Sequence, residues 1–314
     1  MDSEAAKDPA HWRTLRALMD PRLDLRQVRR AFGRAASDYA AIAVLQREVE
    51  SRLLEQLVFA KAEPSRILDL GCGPGRASAE LRQRYPRAEL VALDLALPML
   101  VEAGRGWRWY TPKSKRFHRV CADARALPFA EQSFDLVFSN LCLQWIEDLP
   151  TVLDGLRGLL RLGGLLLFSS FGPDTLYELR ESFAAADRAP HVSSFTPMQA
   201  VGDALMSAGF RDPVLDTDRF TLTYPDARSL MRELRGIGAG NAWSDRRRSL
   251  TGKARMQKVF EAYEQHRRDG VLPATYEVFY AQCFAPEPGQ PRRREGGGEI
   301  ASFPVSGLKI RRKV

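Results

Sequence analysis

Asp69 stands just ahead of three closely spaced glycines in the run Arg66-Ile67-Leu68-Asp69-Leu70-Gly71-Cys72-Gly73-Pro74-Gly75. Without a Cβ, the backbone at Gly71, Gly73 and Gly75 can turn sharply and let a ligand approach closely. A dinucleotide site uses G-x-G-x-x-G, so that amides at a helix N-terminus meet a pyrophosphate. Here a carboxylate precedes the glycines, and it would repel phosphate and attract positive charge. A second acid, Asp94, closes the apolar run Glu89-Leu90-Val91-Ala92-Leu93. A carboxylate at such a strand end can accept both hydroxyls of a ribose. The chemistry these residues suit is recognition of a nucleoside that carries cationic charge and no phosphate.

The surrounding elements must hold these residues together. Ile67, Leu68 and Leu70 are apolar enough for a strand covered on both faces. Good helix formers fill 76–85, and Pro86 stops them. Further strands are expected at 117–121, 134–140, 165–171, 214–222 and 275–284. Helices are expected from 174 to 187, from Pro197 to Gly209, and over much of 226–270 with a break at Gly236–Gly240. Arg161-Leu162-Gly163-Gly164 reads as a helix stop and turn. Strands alternating with helices predict an α/β fold with a doubly wound sheet.

S-adenosylmethionine (SAM) carries an ammonium and a sulfonium and no phosphate. The Asp69–Gly75 run resembles motif I of the class I SAM-dependent methyltransferases. That resemblance implies a Rossmann-like, seven-stranded doubly wound sheet, with an N-terminal helical lid and helical insertions. It implies a cofactor site made by Asp69, Gly71, Cys72, Gly73 and Gly75. Asp94 would hold the ribose, Asp123 and Ala124 would lie by the adenine amino group, and Asn140 would stand at the end of the fourth strand.

Two amphipathic patterns precede the turn. Val28, Phe32, Ala35 and Tyr39 recur at helical spacing, as do Ile42, Leu45, Val49, Leu53 and Leu57. Gly33 permits a bend between them, and Ser37 can cap the second helix. The string Ala31-Phe32-Gly33-Arg34-Ala35-Ala36-Ser37-x-Tyr39 resembles the N-terminal lid of the malonyl-acyl-carrier-protein O-methyltransferases of biotin synthesis. Ser139-Asn140-Leu141-x-x-Gln144-Trp145, Arg188-x-Pro190-His191, Arg235-Gly236-Ile237-Gly238-Ala239 and Leu272-Pro273-x-Thr275-Tyr276-x-x-Phe279 follow in that family's order. The resemblance covers about 26–284. It implies SAM-dependent methylation of the free carboxylate of a malonyl thioester on acyl carrier protein, an acidic partner. Arg34, Tyr39, Gln144, Trp145, Arg180, His191 and Arg235 are the candidate substrate contacts. A carboxylate acceptor is already ionised at neutral pH, with a pKa of roughly 4, and needs no general base. No catalytic base is assigned.

Two other readings stand beside this one. Phe171–Arg180 and Asn241-Ala242-Trp243 resemble the related complex I assembly-factor family, associated with arginine hydroxylation. A SAM methyltransferase of another small molecule, or a SAM-binding scaffold without catalysis, is the third class.

The chain has 314 residues and a net charge of +8. We expect a flexible segment over 1–25, the catalytic domain over 26–285, and a basic disordered tail over 286–314, where Pro, Gly and Arg dominate. The cysteines (Cys72, Cys121, Cys142, Cys283) are scattered, without C-x-x-C, as expected for reduced thiols in a cytoplasmic protein. The histidines share no metal-ligand spacing with them. No apolar run reaches the length of a membrane span. Neither a nucleic acid nor a membrane is expected as a partner. The loop 104–118, with Trp107 and Trp109, is a possible partner contact.

Overall fold

The computed structural model describes residues 23–58, 63–108, 110–112, 115–187, 189–244, 246, 251–287, 292–293 and 299–300. The expectations for 1–22, Trp109, Arg188 and most of the basic tail fall outside these residues.

Seven strands form one sheet in the order β3-β2-β1-β4-β5-β7-β6. β1 (Arg66–Leu70), β2 (Glu89–Asp94), β3 (His118–Cys121), β4 (Phe134–Ser139) and β5 (Leu160–Phe171) run parallel. β7 (Leu272–Phe284) lies antiparallel to both β5 and β6 (Arg211–Tyr224). Successive residues of the inner strands serve two cores, because strand side chains alternate between faces. Ile67, Leu90, Ala92, Leu136, Phe138, Leu165 and Leu167 pack on one face, with Leu53, Leu81 and Tyr263 from the helices there. Leu68, Val91, Leu93, Phe134, Val137, Leu166 and Phe168 pack on the other, against Leu153, Leu156, Leu205 and Phe210. Each fully buried Leu, Val or Phe contributes about 1.5–3 kcal/mol relative to exposure.

The N-terminal helices are α1 (Leu25–Ile42) and α2 (Val44–Gln56). α1 runs unbroken through Gly33 and Ser37, contrary to the expected bend there. Asp24 caps α1 by accepting from the Gln27 N–H at 3.0 Å, and the chain turns instead at Ala43 (φ −72°, ψ 61°). A Cβ on Gly33 would lie 3.5 Å from Pro98 of α4 (Leu97–Ala103), an ordinary contact, so packing leaves room for a side chain there.

α3 (Arg76–Arg84) follows the glycine turn, and α5 (Leu149–Leu159) leads into β5. β5 begins at Leu160, so 161–164 is strand and not the expected turn. Leu160 pairs with Phe134, and Gly163 takes the left-handed φ of 72° within the strand. Beyond β5 lie α6 (Tyr177–Ala184), α7 (Met198–Ser207), α8 (Ala227–Gly236) and α9 (Lys253–Glu264). Trp107 turns inward rather than toward a partner. Its ring meets Phe117 edge-on at 4.8 Å, and the Arg119 guanidinium stacks over it at 4.8 Å. Within the tail, Arg292–Arg293 pairs antiparallel with Glu299–Ile300. No helix among the described residues is long and apolar enough to cross a membrane.

Candidate active site

The glycine turn leaves β1 with all three glycines in the left-handed region, at φ 74°, 52° and 79° for Gly71, Gly73 and Gly75. They serve different ends. A Cβ on Gly71 would lie 2.4 Å from Cys142 Sγ, and one on Gly75 would lie 2.7 Å from Ala103 Cβ. Both exist so that neighbouring chain can close in. A Cβ on Gly73 meets nothing within 4 Å, because Gly73 faces an open cleft. The turn is tied to β2, since the Gly71 and Cys72 N–H groups both donate to Leu93 O, at 2.8 and 3.0 Å.

The cleft opens at the carboxyl ends of β1 and β4, where open α/β sheets bind ligands. Asp69, Gly71, Cys72, Gly73 and Asn140 line it, joined by Tyr39 of α1, Gln46, Arg47 and Glu50 of α2, and Arg76 and Ala77 of α3. Asp69 is 1% exposed and accepts from Ser78 Oγ at 2.5 Å. Burial pushes its carboxyl up to about 7, against the Ser78 hydrogen bond and with help from the Glu50 and Asp94 charges. Burial likewise pushes Glu50 up to about 7, although Arg76 Nη1 donates to it at 2.5 Å. Burial raises the Tyr39 phenol and pushes the Cys142 thiol up to about 12, so both stay protonated at neutral pH.

Asp94 is joined to the turn by hydrogen bonds. It accepts from the Gly73 N–H at 2.9 Å and, through its other oxygen, from the Ala96 N–H at 2.8 Å. Burial raises its pKa, and those two amides oppose the rise. Asn140 links lid and sheet: its Nδ2 donates to Gln46 O at 3.1 Å, and its Oδ1 accepts from Ser169 Oγ at 2.7 Å. Asp123 lies apart from the cleft lining, its carboxylate paired with Arg125 at 2.6 Å and held below the usual range by that contact. Ala124 beside it is half-buried against the second core.

A second cavity shares Gln46 with the first. Gln144, Trp145, Phe171, Thr175, Leu176, Ser193, Phe195 and Tyr276 line it, under a roof of Leu234, Ile237 and Ala239. The end of α8 forms that roof and packs against α1. A Cβ on Gly238 would lie 3.1 Å from Phe32 Cα, and one on Gly236 would lie 2.9 Å from Ile42 Cδ1. Phe32 meets Trp145 edge-on at 5.2 Å. The Asp24 N–H donates to Ala242 O at 2.7 Å, and Arg246 pairs with Asp24 at 3.1 Å. Gln144 Nε2 donates to Leu141 O at 2.7 Å, while its buried Oε1 has no hydrogen-bond partner.

Of the candidate substrate contacts, Gln144 and Trp145 line this second cavity, and Tyr39 lines the first. The four cationic candidates line neither. Arg180 donates to Pro173 O at 2.5 Å and clamps its own loop. His191 bonds Asp187 at 2.8 Å and stacks on Phe183 at 4.1 Å. Arg34 and Arg235 are exposed on α1 and α8. Gln46, Glu50 and Arg76 are lining residues that the sequence reading does not name, and Tyr276 enters it only within the motif Leu272–Phe279. Gln46 and Glu50 carried a signal, being polar residues one turn apart along the apolar stripe Leu45, Val49, Leu53.

Residues 68–168 match the family described as a methyltransferase domain. The chain is 52% identical over 297 residues to a malonyl-acyl-carrier-protein O-methyltransferase of Xylella fastidiosa, covering 94% of this chain and 99% of that one. It is 45% identical over 268 residues to the protein of the same name from Gallionella capsiferriformans, covering 85% and 92%. This chain belongs to the malonyl-acyl-carrier-protein O-methyltransferase family. In fold it matches a methyltransferase structure from Bacillus halodurans with a TM-score of 0.53 at 17% identity, covering 75% of this chain and 99% of that one. The family's cofactor is SAM, and the first cleft fits it: a buried acid for a cationic group, an open Gly73, and Asp94 at the end of β2. Membership favours methyl transfer over the arginine-hydroxylase resemblance of Phe171–Arg180.

Proposed function

We propose that this chain methylates the free carboxylate of a malonyl thioester held on acyl carrier protein, in the cytoplasm, to supply biotin synthesis. The supporting observation is the lining of the second cavity. Among the described residues, no Asp, Glu, His, Lys or Arg lines it. Burial holds the Tyr276 phenol well above its ordinary range, so it donates and does not act as a base. A cavity without a base suits an acceptor that is already an anion.

SAM, when bound, supplies a methyl group on a sulfonium; the carboxylate oxygen bonds to that carbon as the C–S bond breaks, and charge is lost on both sides. The chain's residues prepare this. Asp69 and Glu50 hold negative potential in the cofactor cleft, and Gly73 leaves room beside the turn. Gln46 belongs to both cavities and aligns one against the other. Gln46, Trp145, Ser193 and Tyr276 offer neutral donors to the carboxylate. A cation at that spot would stabilise the ionised acceptor more than the transition state, in which its charge is disappearing, and would slow the step. The end of α8 covers the acceptor cavity with Leu234, Ile237 and Ala239.

The test is mass spectrometry of malonyl-acyl carrier protein incubated with SAM and this enzyme in buffers of different basicity. The expected result is one added methyl group, removable by ester hydrolysis, at a rate independent of buffer base. A folded, SAM-binding enzyme that leaves the malonyl group unmethylated would overturn the proposal.

A further inference from the structure

The cations absent from the acceptor cavity lie on the outside of its roof. On α1, Arg26, Arg30 and Arg34 follow at four-residue steps and share one helix face; all three are exposed. On α8, Arg228, Arg232 and Arg235 fall within one narrow stripe and are also exposed. The two helices pack together at Gly236 and Gly238, so the two stripes flank one seam. Most acids of this neighbourhood are engaged elsewhere. Asp24 pairs with Arg246, Glu233 accepts from Tyr224 Oη at 2.9 Å, and Asp226 caps α8 by accepting from the Ser229 N–H at 2.8 Å. Asp38 is the exposed acid on α1.

Resting on the function proposed above, we infer that the paired arginine stripes of α1 and α8 are the docking surface for the acyl carrier protein. Charge complementarity and place both support this. The partner is acidic, and the stripes present six guanidiniums with little acid between them, of which Arg228 also stacks over Phe260 of α9 at 4.4 Å. α8 reaches the acceptor cavity through Leu234 and the adjoining Ile237, and α1 lies behind it, with Phe32 edge-on to the lining residue Trp145. A carrier seated there delivers its thioester arm at the cavity. The surface therefore divides the work: charge outside selects the carrier, and a neutral interior accepts the carboxylate. Rim charges of this kind act mainly on association and its salt dependence.

The experiment compares the enzyme with the triple variant R26E/R30E/R232E on two acceptors: malonyl-acyl carrier protein, and malonyl-pantetheine, which offers the same thioester without a protein. The expected result is a loss of at least tenfold in kcat/KM for the carrier substrate, carried by KM, and a flattened salt dependence. Turnover of malonyl-pantetheine and SAM affinity stay within twofold. Arg87→Glu, in the loop before β2 at the opposite ends of the strands, leaves both acceptors unchanged. Equal losses on both acceptors would overturn the inference, because the arginines would then support the fold or the cavity. Unchanged carrier kinetics would overturn it too, as would heparin displaced by the substitutions while the carrier is indifferent to them. If the unaltered enzyme methylates neither acceptor, the proposed function fails and the docking surface falls with it.

Discussion

The two cavities differ in charge. The first carries two acids, Asp69 and Glu50, and two guanidiniums, Arg76 paired to Glu50 and Arg47 donating to Ala40 O, so Asp69 is the acid without a cationic partner in the lining. The second carries no charged side chain among the described residues. Both choices follow from what each must bind. A cation that stays bound through the encounter is favoured by nearby buried acids. An anion that loses its charge in the reaction is best met by neutral donors. The contrast extends to construction: the first cavity rests on the parallel half of the sheet, the second on helices and the antiparallel strand β7.

The comparison can be broken most severely within the glycine turn. Gly71→Val forces a Cβ into Cys142 at a left-handed φ. Overpacking of about 1–3 kcal/mol and backbone strain of about 1–2 kcal/mol should together unfold much of the protein. Gly73→Val carries the same left-handed strain but meets only open cleft, so it should lose less melting temperature than Gly71→Val and abolish SAM binding by calorimetry. Identical behaviour of the two variants would show that the cleft is not what Gly73 faces.

Asp94→Ala comes next. It removes the acceptor for the Gly73 and Ala96 amides and the carboxylate meant for the ribose. Hydrogen bonds to charged groups are worth about 1.5–3 kcal/mol each. SAM affinity should therefore weaken at least tenfold, whereas malonyl-thioester KM at saturating SAM should stay near its original value. A change confined to the acceptor would reverse the assignment of the two cavities.

The smallest effect sharpens the contrast by pH. Asp69 titrates near 7 in the folded chain and near 4 when unfolded. The folded state thus holds more protons between those values, and the ligand-free protein should lose stability as pH rises from about 4 to about 7. A cationic ligand favours the ionised form. Stabilisation by SAM in thermal unfolding should therefore be larger at pH 8 than at pH 6, and Asp69→Asn should shrink that difference, leaving the part due to Glu50, which also titrates near 7 in this cleft. A pH-independent shift would argue that Asp69 does not sense the cofactor's charge.

The cofactor half was legible because its constraints are local. A strand buried on both faces must be an unbroken apolar run, and the turn after it must be glycine where Cys142 and Ala103 approach. Asp69 and Asp94 sit at strand ends that such runs mark. The acceptor half was not legible in the same way. Arg34, Arg180, His191 and Arg235 are the right residues for holding a carboxylate, but composition does not say which way a side chain faces. Arg180 and His191 are consumed by Pro173 and Asp187. The stripe Arg228, Arg232, Arg235 did carry its answer: with Leu230 and Leu234 buried or half-buried opposite, helical periodicity requires those arginines to face out. α1 runs through Gly33 because its apolar face is buried on both sides of that position, at Val28 and at Ala35 and Ala36. Leu160 joined β5 because it pairs with Phe134. That pairing is a tertiary fact with no local mark.

The place of β7 carries a consequence for how the chain is made. β6 is bound to the sheet only through β7, and β7 fills the slot beside β5. During synthesis, β1 to β5 can assemble while residues 272–284 are still in the ribosome. Until they emerge, the apolar edge of β5 from Leu165 to Phe168 stays unpaired, a template for misassociation with other chains. β6, already translated, has no strand to join. The sheet is closed by a strand translated after its neighbours on both sides, so a chain stopped before Leu272 should be recognised by chaperones as an unfinished edge.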